Sequence, residues 1–290
     1  MRCRQALIVH KLDRRLIERT VELAQKSEKF GSRQLRAALD SSPLWGAAKV
    51  EDTYNLLGHA LKKALSVIAR QQGRELTEIA AEMEAELLTG SSLKAALDLN
   101  WDDPDERILA LGIVLGVLSQ VETYLELEPK TKSHPVVLSS LEAAQQIEAQ
   151  DVEIDEQGEV KLRKGVAKNR RITIEDEEMR HGRKNRTKSF DGYKRHILKD
   201  LDLGLVRAVG ITMANVAEAS VTEAISVDLE HQKAKLSELH IDRAYLSSSL
   251  VKNRDPELTI YCKAWRVSNG RKFALICFCL RLGIRDNYLP

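Results

Sequence analysis

Between residues 50 and 150 the apolar side chains recur at helical spacing, and after Gly158 that pattern stops. Val50, Tyr54, Leu57, Leu61, Leu65 and Ile68 form one stripe, and Asp52 stands where an acidic residue favours a helix N-terminus. Further helices are expected over residues 76–88, 104–127 and 135–149, separated by breakers at residues 90–92, 129–135 and 158. Beyond Gly158 the chain carries short apolar or alternating runs at residues 171–174, 193–200, 205–212, 238–242 and 258–265. Residues 218–236 and 246–253 return to a helical pattern, and the turn Asp202-Leu203-Gly204 predicts an antiparallel hairpin. A chain with these two textures reads as helical over residues 50–150 and mixed α/β after Gly158. One element stays ambiguous on periodicity: residues 35–40 are apolar and alanine-rich, and then run into Asp40-Ser41-Ser42-Pro43.

At 290 residues the chain can bury a sizeable core. The net charge of +2 conceals an asymmetry, with acidic residues crowded at 75–86 and 142–159 and basic ones at 161–199. Four cysteines without paired spacing or neighbouring histidines argue against a zinc site and for a reduced, cytoplasmic protein. The apolar run at residues 6–9 is too short for a signal-peptide core. The run at residues 108–118 falls short of the roughly 20 residues of a membrane span, so it reads as a buried helix and no membrane partner is expected.

Asp242 closes a predicted strand, and Asp40 would close another if residues 35–39 are extended; there a rigid backbone holds a carboxylate whose tip faces solvent. On neighbouring strands they would lie about 5 Å apart, a separation suited to metal ions about 4 Å apart. The plainer alternative is local: aspartate before Ser-Ser-Pro is a common turn former, and Asp-Arg is an ordinary strand exit. Asp200 and Asp202 are rivals for the same role, although the Asp-Leu-Gly turn accounts for them. His181 and His196 lack metal-site spacing and are expected near DNA phosphates or solvent.

The basic stretch holds Arg180, Arg183, Lys184, Arg186, Lys188, Lys194 and Arg195, interleaved with Phe190 and Tyr193, a composition suited to a phosphate backbone or to a solvated loop. Strand alternation puts Lys194 and His196 on one face and Arg195 and Ile197 on the other, so these charges cannot all line one groove. Trp45 and Trp265 are expected to pack in the core.

Four segments, taken together and in order, resemble the DDE transposases of bacterial insertion sequences. They are ALDSSPLWGAAKVEDTYNLLGHALKKAL, DEEMRHGRKNRTKSFDGYKRHILKDLDLGLV, GITMANVAEA and ELHIDRAYLSSSLV, and the resemblance runs from about Cys3 to Phe273. It implies an RNase-H-like mixed sheet with a large all-helical insertion after the first strand. Residues 1–45 would hold N-terminal helices and that strand, 46–157 the insertion, and 158–273 the rest of the core, with 274–290 a divergent tail.

It implies too that Asp40 and Asp242 are two of the three carboxylates that bind a pair of Mg2+ ions for DNA cleavage and strand transfer. The partner would be DNA at element ends and target, a homo-oligomer being one assembly open to it. Lys263 is implied as a phosphate contact. Two departures stand out. Where the family has Asp-Arg-Gly-Tyr this chain has Asp242-Arg243-Ala244-Tyr245, and alanine would strain a turn that needs positive φ. The third carboxylate has no counterpart after Phe273, so the core is expected to be incomplete at the C-terminus and the chain an inactive, truncated remnant. The alternative class is a non-catalytic DNA-binding or multimerising protein that inhibits an intact transposase.

Overall fold

The computed structural model describes residues 12–26, 34–165, 167, 169–184, 187–263 and 279–280. In chain order these form α1 (Leu12–Gln25), β1 (Leu35–Trp45), α2 (Thr53–Gln72), α3 (Leu76–Glu82), α4 (Leu93–Leu97), α5 (Pro104–Leu127), α6 (Pro129–Lys132) and α7 (Pro135–Asp151). There follow β2 (Val152–Ile154), β3 (Val160–Leu162), β4 (Arg180–Arg183), β5 (Ser189–Asp200), β6 (Val206–Met213), α8 (Thr222–His231), β7 (Leu236–Ile241), α9 (Ser249–Lys252), β8 (Thr259–Cys262) and β9 (Cys279–Leu280). The chain is mixed α/β and divides into two compact units, one of residues 1–45 with 193–290 and one of residues 46–192.

The first unit is built on a sheet in the order β6-β5-β1-β7-β8-β9. β5 and β6 form the expected hairpin, antiparallel from Tyr193↔Met213 to Lys199↔Val206. Its turn is closed by Gly204 at φ 70°, a left-handed conformation that favours glycine. β7 lies parallel to β1, and β8 parallel to β7. Leu35, Ala37 and Leu39 of β1, with Leu239 and Ile241 of β7, bury one sheet face against Ile225 and Leu229 of α8. Residues two apart share a face, so Arg36, Ala38 and Asp40 take the other.

The breaker at Ser41-Ser42-Pro43 does not end β1, which continues to Trp45. Pairing with β7 stops at Leu39↔Ile241, so among the described residues β7 does not accompany β1 past that point. Proline is tolerated where no ladder N–H is required there. Trp45 is not a core residue, for it is 67% exposed.

The second unit has its own core, in which Leu57, Leu61, Leu65 and Ile68 of α2 pack with Leu111, Val114, Val121 and Leu125 of α5 and with Val137, Leu141 and Ile147 of α7. Asp52 caps α2 by accepting the Asn55 N–H at 3.2 Å, and Gly73 ends it in the left-handed region at φ 66°. α5 begins with Pro104 at the first turn, as its spacing predicts. The helix expected over residues 76–88 breaks after Glu82, because Glu84 adopts φ 50°, and only a short 3-10 turn at Glu86–Leu88 follows.

Residues 171–174 form no strand. Arg171, Ile172, Thr173 and Ile174 are buried without a ladder, and Ile174 joins the helical core. Arg171 satisfies the local backbone instead, donating to the Thr173 and Ile174 carbonyls. The second compact unit runs from Gly46 to Gly192.

By length and composition α5 could cross a membrane. Its Ala110, Leu111, Val114, Val117, Leu118, Val121 and Leu125 face the unit's interior, while Leu109 is 55% exposed. Gly112 and Gly116 lie mid-helix, and a Cβ added to either would meet nothing within 4 Å. Gly112→Ala and Gly116→Ala are each expected to raise stability by about 0.5–1 kcal/mol, because alanine loses less backbone entropy in a helix. The urea midpoint should rise in both variants, and an unchanged midpoint would contradict the account.

Candidate metal centre and basic surfaces

Asp40 and Asp242 follow the last paired residues of β1 and β7, which run parallel. Leu39 pairs with Ile241, and each aspartate is the next residue of its strand or the one just past its end. Neighbouring strands lie about 4.8 Å apart, so the two Cα atoms are side by side. Both side chains are exposed, as strand alternation from buried Leu39 and Ile241 requires. Each carboxylate is steadied by the next amide: Ser41 N–H donates to Asp40 Oδ1 at 2.8 Å and Arg243 N–H to Asp242 Oδ1 at 2.6 Å. One oxygen of each is left out of those bonds, and carboxylate oxygens are the donors that Mg2+ takes. Among the described residues no group of three or more His, Cys, Asp or Glu side chains is arranged to hold a metal ion.

The turn after Asp242 carries its alanine without strain. Asp242 caps a 3-10 turn at Arg243–Tyr245. Among the described residues the only non-glycine positions at positive φ are Glu84, Asp98 and Lys233, so Ala244 does not need the conformation that glycine alone adopts freely. Asp200 is buried and ion-paired with Arg207 at 3.5 Å while accepting the amides of Asp202 and Leu203, which makes it a turn and core residue. Asp202 is paired with Arg36 at 2.9 Å.

His196 is not near solvent. It is 0% exposed, its Nδ1 2.8 Å from the Tyr245 hydroxyl and its Nε2 3.0 Å from Thr212 Oγ1. Burial, aided by the charge of Lys194 and opposed by Asp40, pushes its pKa down to about 4, so the ring is neutral. Tyr245 is also 0% exposed, and burial, with the nearby charges of Glu218, Asp40 and Asp242, drives its phenol upward. Pattern reading missed this pair, because His196 and Tyr245 stand 49 residues apart and only the fold joins them.

Comparisons with models of protein families, with curated proteins and with solved structures gave no match for this chain.

The basic residues divide by burial. Arg180 is buried in β4, where it donates to the carbonyls of Glu177 and Met179, so its guanidinium serves the backbone rather than a DNA phosphate. Lys194 lies on the inward face of β5, donates to the Val216 carbonyl at 2.9 Å and stands 3.8 Å from Glu218. Both expectations of DNA contact are corrected by alternation: residues two apart share a face, and these faces are the covered ones. Arg183, Lys184 and Lys188 are exposed in the second unit, where His181 is bound to Asp191 at 2.6 Å. Arg195 and Lys263 are exposed in the first unit. The Arg195 guanidinium contacts Ser42 Oγ at 3.2 Å, two residues from Asp40. Arg186 and Trp265 lie outside the described residues.

Proposed function

We propose that this chain is a DNA-processing protein of the DDE transposase class, in which Asp40 and Asp242 are two of the divalent-metal ligands. The observation that carries the reading is the in-register parallel pairing of β1 and β7, which puts two far-separated aspartates side by side at one end of a sheet. The strand order β6-β5-β1-β7-β8, antiparallel in the first hairpin and parallel across β1, β7 and β8, supports an RNase-H-like core. A helical unit lying between β1 and the later strands supports the insertion.

When bound, a Mg2+ pair supplies activation of water and stabilisation of the leaving oxygen at phosphorus. What the residues themselves do is present two fixed carboxylates, with Arg195 beside them as a phosphate contact. The reading carries with it a cytoplasmic location.

Mn2+ titration by calorimetry tests the metal site. Asp40→Asn and Asp242→Asn should each weaken Mn2+ binding by about tenfold or more, since each removes one of the two negative charges that face the cation. Unchanged affinity would refute the assignment.

A second reading, DNA binding without catalysis, is favoured by the exposed Arg183, Lys184 and Lys188 and by the lack of a three-ligand cluster among the described residues. It predicts salt-sensitive DNA binding that survives both aspartate substitutions.

A further inference from the structure

Between α1, β6 and α8 of the first unit lies a cavity of about 530 Å3, lined by neither Asp40 nor Asp242. Helical spacing shapes two of its walls. On α8, Ile225 and Leu229 enter the sheet core, while Ala224 and Asp228, also four residues apart, line the cavity. On α1, which packs along β6 with Val21 buried, Ile17 and Glu18 line it from the other side. Residues Val209 to Thr212 of β6 form the floor, and Ile211 is 60% exposed, so the cavity meets solvent there. Gly210 has a packing reason, since a Cβ in its place would collide with Val221 Cγ2 and push the 3-10 turn Glu218–Val221 off the strand.

Most polar groups of the lining are engaged by the protein. Gln232 accepts from Arg207 Nε at 2.9 Å and donates to the Arg207 carbonyl at 2.7 Å, Thr212 Oγ1 is 3.0 Å from His196 Nε2, and Ser220 donates to the Ala217 carbonyl. The charged side chains of the lining are Glu18 and Asp228, and among the described residues that line the cavity none is basic. Glu18 stands 3.7 Å from His231 Nδ1, both side chains being partly exposed. Aliphatic walls with carboxylates of one sign favour a ligand that is apolar along most of its length and cationic at one end.

We propose that this cavity binds a small organic amine, its hydrocarbon part between Ile17, Ile211, Val221 and Ala224 and its ammonium against Glu18 and Asp228. The volume lies in the range of ligand sites, about 300–1,000 Å3, which combine apolar walls with a few polar groups that fix orientation. An anion of the same shape would meet like charge. This site stands apart from the reading of Asp40 and Asp242 as metal ligands and needs no metal ion.

The probes are phenethylamine, phenethyl alcohol as its neutral isostere and hydrocinnamate as the anionic counterpart, each titrated at neutral pH into the full chain while amide chemical shifts are followed by NMR. Phenethylamine should shift the amides of Gly210, Ile211 and Ala224 saturably. It should bind about tenfold tighter than the alcohol, because two partly exposed ion pairs contribute about threefold each, and hydrocinnamate should bind more weakly than either. No saturable shift at those amides overturns the proposal, and so does equal or tighter binding of the alcohol or the acid.

Glu18→Gln, at a partly exposed position of α1, should reduce the preference for amine over alcohol about threefold. An unchanged preference overturns the placement of the ammonium. Ala224→Leu puts a larger side chain into the cavity with a residue that suits a helix, and should abolish binding of both amine and alcohol. Undiminished binding in the folded variant overturns the proposal. If Ala224→Leu does not fold, the comparison of wild type with Glu18→Gln decides alone.

Discussion

Asp151→Ala is expected to destabilise the helical unit by about 3–5 kcal/mol, the cost of breaking a buried ion pair by removing one partner. Asp151 is buried at the end of α7, where one oxygen accepts from Thr53 Oγ1 at 2.8 Å and from Arg170 Nη2 at 2.9 Å. Thr53 is the first residue of α2, so the carboxylate ties the start of one long core helix to the end of another. Arg170 is already incompletely satisfied, its Nε being buried without a hydrogen-bond partner. Without Asp151 the guanidinium would lose its counter-charge and the Thr53 hydroxyl its acceptor. Domains are stable by only about 5–15 kcal/mol, so the loss should be plain in a urea unfolding curve. Arg170→Met in the Asp151→Ala background should recover part of it, because the stranded charge is then gone. A midpoint shift equivalent to less than about 1 kcal/mol in Asp151→Ala would show that the network does not hold the unit together.

Acid is expected to destabilise the first unit through His196. The unfolded chain takes a proton there near pH 6.5, whereas the folded protein refuses it until about pH 4. The folded pKa is the lower one, so the contribution is whole above pH 6.5 and is lost progressively as the pH falls through about 4. A shift of that size is worth about 3 kcal/mol in all. Unfolding free energies at pH 7, 6, 5 and 4 should therefore fall more steeply for the wild type than for His196→Gln, which has no proton to gain. Parallel pH profiles in the two proteins would mean that His196 is not buried in its neutral form. The comparison concerns slopes, so a lower absolute stability of the glutamine variant does not obscure it.

Local chemistry made much of the helical unit legible. α5 begins at Pro104 and ends at Leu127, as periodicity and the N1 proline indicate, and Asp52 caps α2 because its side chain needs only the amide three residues on. The hairpin of β5 and β6 was equally readable from its Asp-Leu-Gly turn. Errors fell where a distant partner overrode a local signal. Pro43 should have ended β1, yet the strand passes through it; Arg171–Ile174 alternates like a strand, yet it is buried as irregular chain with Arg171 bonding nearby carbonyls. Trp45 looked like a core residue and is exposed.

The candidate site divides in the same way. That Asp242 stands just past a strand end was legible in the sequence, because strand alternation and flanking polar residues are written within a few positions, whereas Asp40, expected to close β1, lies mid-strand because β1 runs on to Trp45. That they are neighbours was decided by the parallel register Leu39↔Ile241, a pairing between far-separated segments for which no local pattern exists. Burial of Arg180, half-burial of Lys194 and the joining of His196 to Tyr245 came from tertiary structure for the same reason. Composition specifies how many charges a segment carries, whereas which of them meet water or one another depends on what the rest of the chain lays across each face.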